Sequence, residues 1–184
     1  MSGHSPTTHL LERLSRLIQN EAHASGLKPV QWEILRFLRL ANRFSRTPSA
    51  VTAYLNLTKG TVSQSLNALE TKQLVTKEPV AGDRRRLTLA LTAAGREMLA
   101  GDPMDALDTA VRSVEVARGE DLSGGLRAVL SDLLRRRGGR AFGVCRTCRH
   151  YRPEPGSAGQ ARCALLNEAL TPADSDAICV EHDG

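Results

Sequence analysis

Leu10, Leu11, Leu14, Leu17 and Ile18 recur at helical spacing, with Glu12, Arg13 and Arg16 between them. This stripe predicts an amphipathic helix over about 7–24, and Gly26 ends it. Pro29 suits the first turn of a second helix, in which "PVQWEILRFLRLA" sets Val30, Ile34, Phe37, Leu38 and Ala41 on one face. Thr47 and Pro48 form a cap and first position for a third. In "LTKGTVSQSLNALETK", Val62, Leu66 and Leu69 face inward, leaving Lys59, Ser63, Gln64 and Asn67 outside. The period then changes to two. "LVTKEPVAGDRRRLTLALT" predicts strands over about 74–79 and 86–91, turned at Ala81-Gly82-Asp83. Thr92 caps a further helix that Gly101-Asp102-Pro103 kinks or breaks. A last helix, about 120–137, carries Leu122, Leu126, Val129, Leu130, Leu133 and Leu134, with Gly124 and Gly125 weakening its first turns.

Two short helices joined by Asn56-Leu57-Thr58, followed by a hairpin, make a helix-turn-helix with a wing. The outward face of the second short helix is small and polar: Thr58, Lys59, Gly60, Thr61, Ser63, Gln64 and Asn67. Such a face can approach base edges in a major groove. Asp83, Arg84, Arg85 and Arg86 place three guanidinium groups at the hairpin tip. Arginine there can enter a minor groove or clamp phosphate.

Composition supports this reading. Aromatics are 3% of the chain, so the core is aliphatic, and its Leu and Ala content favours helix. The net charge of +5 hides a division: residues 153–184 carry six acids against Arg162, leaving about +10 on the first 152 residues. A basic body is the footprint of a nucleic-acid binder. No apolar run approaches the roughly eighteen residues of a membrane helix, and the start has no basic-then-apolar leader pattern. A cytoplasmic protein with no membrane partner is therefore expected. There is no nucleophile–base constellation, Gly-rich phosphate loop or H-E-x-x-H, so no enzyme is expected.

The stretch "DRRRLTLALTAAG", Asp83 to Gly95, resembles the D-x-R…LT-x-x-G wing pattern of the MarR family of bacterial winged-helix regulators. "TKGTVSQSLNALETKQLV" resembles its recognition helix and the start of its wing. The resemblance covers about residues 9–137. It implies a homodimer built by the first and last two helices, with paired winged domains reading a pseudo-palindromic double-stranded DNA operator. It also implies that Arg85 is the minor-groove arginine and that Asp83 orients it. Gln73 departs from the family, which has Gly where a helix end commonly needs positive φ. Gly124-Gly125 is a second departure.

All four cysteines lie in "VCRTCRHYRPEPGSAGQARCALLNEALTPADSDAICVEH". Cys145 and Cys148 form a C-x2-C pair, while Cys163 and Cys179 stand singly. A segment this short buries too little apolar surface to fold well alone, so a metal staple is apt. Structural zinc usually takes two paired knuckles; one pair and two single thiols also suit the four corners of a cubane. The tail resembles small high-potential-type [4Fe–4S] modules, such as the small subunits of benzylsuccinate synthase. A [4Fe–4S] iron–sulfur cluster on Cys145, Cys148, Cys163 and Cys179 is therefore preferred, with zinc the alternative and a disulfide switch third. His150 and His182 lie beside cysteines and could replace one as ligand, but a plain surface histidine is the preferred reading of each. Arg146, Arg149 and Arg152 would offset thiolate charge.

The expected fold class is mainly α with a small β-hairpin wing, dimerisation helices at both ends and a short cysteine-rich, metal-stapled tail. The expected units are 1–28, N-terminal dimerisation helix; 29–92, winged helix-turn-helix; 93–138, C-terminal dimerisation helices; and 139–184, cysteine module. The expected function is a sequence-specific transcription regulator, in the sense of a repressor, whose DNA affinity follows a cluster sensing redox, oxygen or iron. One alternative keeps zinc as an inert staple and takes a small-molecule effector. The other is an iron–sulfur electron carrier or enzyme accessory, which has no need of a wing.

Overall fold

The computed structural model describes residues 3–24, 26–80, 82–119, 121–154 and 160–184; the side chains of 21–24, 84 and 85 also fall outside that description. Seven helices and a hairpin come first: α1 (Pro6–Ala24), α2 (Pro29–Leu40), α3 (Pro48–Leu55), α4 (Lys59–Thr71), β1 (Val75–Val80), β2 (Asp83–Leu91), α5 (Ala93–Met98), α6 (Met104–Arg118) and α7 (Leu122–Arg137). The tail follows as β3 (Gly143–Val144), β4 (Tyr151–Pro153), β5 (Ala161–Cys163), β6 (Glu168–Leu170), α8 (Pro172–Ser175) and β7 (Ile178–Cys179). The expected class, mainly helical with a small antiparallel hairpin, is what the chain adopts.

Local chemistry fixes the ends of the helix-turn-helix. Thr47 and Thr58 cap α3 and α4 by accepting the N–H groups of Ala50 and Thr61 at 3.2 Å. Asn56 ends α3 with φ +52°. Gln73 follows α4 with φ +57°, so the position needs the left-handed conformation that the glutamine raised in question. The hairpin pairs Val75 with Leu91 through Pro79 with Leu87, and its register then shifts between Pro79 and Val80. Strand β2 begins at Asp83, earlier than the sequence pattern indicates.

The core lies where α2, α3, α4 and the hairpin meet. Trp32, Ile34, Leu35, Phe37, Leu38, Val51, Val62, Leu66, Leu69, Val75 and Leu89 are fully enclosed. Thr92 Oγ1 donates to the Gln73 carbonyl at 2.7 Å and accepts the Gly95 N–H at 2.9 Å, locking α5 across the wing's base. A Cβ on Gly95 would overlap the Leu74 carbonyl oxygen, which explains the glycine of the wing motif.

Gly101-Asp102-Pro103 breaks the helix outright: α5 runs into a 3-10 turn at Leu99–Gly101, and α6 starts at Met104. Asp102 is buried, accepts the Met104 N–H at 2.9 Å and takes a two-pronged bond from Arg36 of α2. Burial by itself pushes the Asp102 carboxyl up. The hydrogen bond from Arg36, the Met104 N–H and the charges of Arg36 and Arg39 outweigh it, leaving the carboxyl below its usual range.

Helices α6 and α7 bury no residue of their own. Leu126, Val129, Leu130 and Leu133 on α7 are exposed, as are Leu10, Leu14 and Leu17 on α1. Among the described residues, no helix is long and apolar enough to cross a membrane.

Candidate nucleic-acid interface and cysteine centre

The α4 side chains chosen from the sequence share one accessible side of the helix. Thr58, Lys59, Thr61, Ser63, Gln64 and Asn67 are all exposed, while Val62, Ser65, Leu66 and Leu69 anchor the opposite side. Thr58 and Thr61 also bond to each other through their hydroxyls at 2.9 Å. Asn67 is not wholly free to read a base. Its Oδ1 accepts from Lys77 Nζ, which also pairs with Glu70 at 2.8 Å. Lys77 is therefore a basic neighbour of this polar face that the sequence pattern missed. Its strand position was legible, but its reach across to α4 was not.

At the wing, Gly82 takes φ +83° and Asp83 opens β2 opposite Val80. The backbone of Arg84 and Arg85 continues that strand, but their side chains lie outside the described residues. Arg86 is exposed and lines a cleft of about 540 Å³ with Thr47, Pro48, Arg140 and Glu181. It thus sits beside α3 and the tail as well as on the wing.

The tail folds as small antiparallel pieces: β3 with β7, and β4–β5–β6. Cys145 starts a tight turn in which the Cys148 N–H donates to the Cys145 carbonyl at 3.0 Å. Strand β7 brings Cys179 opposite Gly143. Cys145 and Cys179 are buried in one small core with Ala161 and Leu170, and Cys163, Tyr151 and Phe44 pack against it. All four thiols are free. Asn42 Nδ2 donates to Cys145 Sγ at 3.2 Å, and the Glu181 N–H donates to Cys179 Sγ at 3.4 Å.

The two buried thiols titrate as a pair. The hydrogen bond from Cys145 pulls Cys179 down, burial opposes it, and Asn42, the Glu181 N–H and Ser45 assist. The same bond, with burial, pushes Cys145 up. One sulfur of the pair is thereby readied as a thiolate, the form that ligates metals.

Four soft donors in one small module suit zinc or an iron–sulfur cluster. As they stand, however, no group of three or more His, Cys, Asp or Glu side chains among the described residues is arranged to hold a metal ion. Cys148 and Cys163 would have to close on the Cys145–Cys179 pair. Of the two histidines, His182 Nε2 bonds the Thr147 hydroxyl at 3.1 Å, inside the C-x2-C turn. His150 faces Asp183 at 3.9 Å.

A capped α3–α4 pair, an exposed polar α4 face and a hairpin wing packed on one core define a winged helix-turn-helix. Residues 25–86 match the model of the MarR family. Solved structures share the fold. The chain is 20% identical to the S. aureus MepR–DNA complex, covering 71% of this chain and 98% of that one at a TM-score of 0.54. For apo MarR from E. coli the identity is 19%, the coverage 72% and 99%, and the TM-score 0.51. A MarR transcriptional regulator from Methanosarcina mazei Go1 gives 18%, 71% and 91%, and 0.51. No curated protein matches the chain. At these identities the likeness shows the fold.

Proposed function

We propose that this chain is a homodimeric, DNA-binding transcription regulator whose operator affinity follows the state of a metal or cluster centre in its tail. The observation that carries the DNA-binding part is the exposed polar face of α4 beside the wing, on a body matching the MarR family. Thr58, Lys59, Thr61, Ser63, Gln64 and Asn67 face the major groove, and Asp83, Arg84, Arg85 and Arg86 bring the wing to the backbone or minor groove. The unburied apolar faces of α1 and α7 supply a dimer contact.

Cys145, Cys148, Cys163 and Cys179 hold the centre, for which [4Fe–4S] is preferred over zinc. Support comes from one C-x2-C pair, two single thiols and a buried sulfur pair joined to the α2–α3 connection. A cluster would supply redox or oxygen sensitivity, and zinc would supply a fixed staple. The zinc reading also has an observation behind it. A cleft of about 500 Å³, lined by Leu38, Arg39, Arg46, Leu91, Arg96 and Leu99, suits an anionic, partly apolar effector.

The deciding experiment uses protein purified without oxygen. Iron, acid-labile sulfide and zinc are assayed, and operator sequences are selected from a randomised duplex pool. Iron with sulfide and an enriched palindrome are expected. Colourless protein with one zinc per chain would leave the staple, and failure to enrich any sequence would remove the regulator.

A further inference from the structure

The tail docks on the connection between α2 and α3, residues 41–47. Ala41 bridges Ile178, and the Asn42 N–H donates to the Ile178 carbonyl at 2.9 Å. The Val180 N–H donates to Ser45 Oγ at 2.9 Å. Arg43 pairs with Asp174 and donates to the Ala169 carbonyl. The same connection touches both the helix-turn-helix and the wing. Thr47 caps α3, and the Leu89 N–H of the wing donates to the Arg46 carbonyl at 2.8 Å.

Two polar side chains in this connection are buried, Asn42 at 2% and Ser45 at 0% exposure. Asn42 Oδ1 closes the turn by accepting the Ser45 N–H at 2.9 Å, which leaves its amide N–H₂ for sulfur. That group donates to Cys145 at 3.2 Å, while Ser45 Oγ holds the N–H of Val180, the residue after Cys179. A buried amide that gives a donor to a thiol is tied to the chemistry of that sulfur. A charged or metal-held sulfur accepts a hydrogen bond more strongly than a neutral thiol.

We propose that Asn42 and Ser45 relay the state of the cysteine centre to the DNA-binding helices within one subunit, through the Asn42 bond to Cys145 and the Ser45 bond to Val180 beside Cys179, which set the 41–47 connection ahead of α3. This rests on reading the four cysteines as a regulatory centre. It assigns the coupling route to the winged body itself, whereas dimer-helix spacing would be the route if the tail acted through α7. Asn42 and Ser45 are positioning residues that touch neither DNA nor any effector.

The test uses full-length wild type, Asn42→Ala and Ser45→Ala, each in two forms: loaded (zinc, or iron and sulfide without oxygen) and stripped with EDTA. Affinity is measured for a duplex that wild type enriches from a randomised pool, and amide exchange is followed across residues 41–58. For wild type we expect about a tenfold affinity difference between the forms, within the ordinary range of site coupling. Exchange at Asn42 and Val180 should quicken on stripping. In the variants, metal content should hold while the affinity difference falls to about twofold or less. Exchange in 41–58 should no longer depend on the metal. Variants that keep both metal and the full response overturn the relay and leave the sensor intact. Loss of metal in both variants also overturns it, because the two residues would then serve only to build the shell. A wild type whose affinity ignores loading removes the sensor itself, and the relay with it.

Discussion

Gln73 closes α4 at φ +57°, with its N–H on the Glu70 carbonyl at 2.8 Å. A side chain there costs about 1–2 kcal/mol, against about 0.5–1 kcal/mol of extra chain entropy for glycine. Gln73→Gly should therefore stabilise the fold by about 0.5–1 kcal/mol. The urea midpoint should rise with the slope unchanged; a fall would mean that the glutamine side chain makes a contact worth more than its strain. Function at this scale rests on single contacts. On the proposed interface, Arg85→Ala should weaken operator binding by about 1–3 kcal/mol, and Asp83→Ala should weaken it less. Gln64→Ala should relax discrimination between operator variants more than it lowers affinity for random DNA. Titrations at fixed salt check both, and equal losses on operator and random duplex would reject Gln64 as a base reader. These positions were legible because each stands out from a periodic helix or strand. Asn42 and Ser45 were not. They lie in a connection without periodicity, and their tail partners are more than a hundred residues away.

At the scale of elements, helix and strand periods foretold α1 to α4 and the hairpin, since each has enough turns or alternations to show a buried side. The tail's strands are two or three residues long, too short for any period to register. Its cysteine spacing showed only that the segment must fold back. Glycine and proline at 101–103 marked the break before α6, but not the reason the break is stable. That reason is the Arg36–Asp102 pair, joined across 66 positions. Asp102→Ala would strand Arg36, whose side chain is only 15% exposed, and should cost about 3–5 kcal/mol. The native carboxyl is held below its unfolded value, so its contribution is complete above about pH 4. It is lost as pH falls through the lower, folded value. Wild type should accordingly lose stability more steeply below pH 4 than Asp102→Asn, as thermal melts across pH 2–6 would show. Parallel curves would mean that other carboxylates dominate acid unfolding. Gly95→Ala probes a different joint. With the Leu74 carbonyl in the way, α5 must shift off the wing's base, at about 1–3 kcal/mol.

At the scale of the molecule, the core and the exposed apolar surface are separated along the chain. The enclosed side chains lie between Leu27 and Leu99, with a second, smaller core in the tail. Helices α6 and α7 bury nothing, yet α7 presents Leu126, Val129, Leu130 and Leu133 together. A sixteen-residue helix gains its stability mainly from a covered face, and a second copy of the chain supplies one in the proposed dimer. Its two winged bodies, each basic, would then engage two half-sites, so operator affinity depends on the helices that never touch DNA. Leu130→Glu with Leu133→Glu places like charges against the same face of the partner. We expect sedimentation to show monomer, and operator affinity to fall toward that for random DNA. Near-ultraviolet dichroism from Trp32 should persist, because that ring sits in the winged core at 0% exposure. Metal content should persist as well, since the tail is held by residues 41–47 of its own subunit. A dimer that survives both substitutions would place the contact on α1 alone. A winged body that unfolds with them would mean that the two cores are not independent of the dimer.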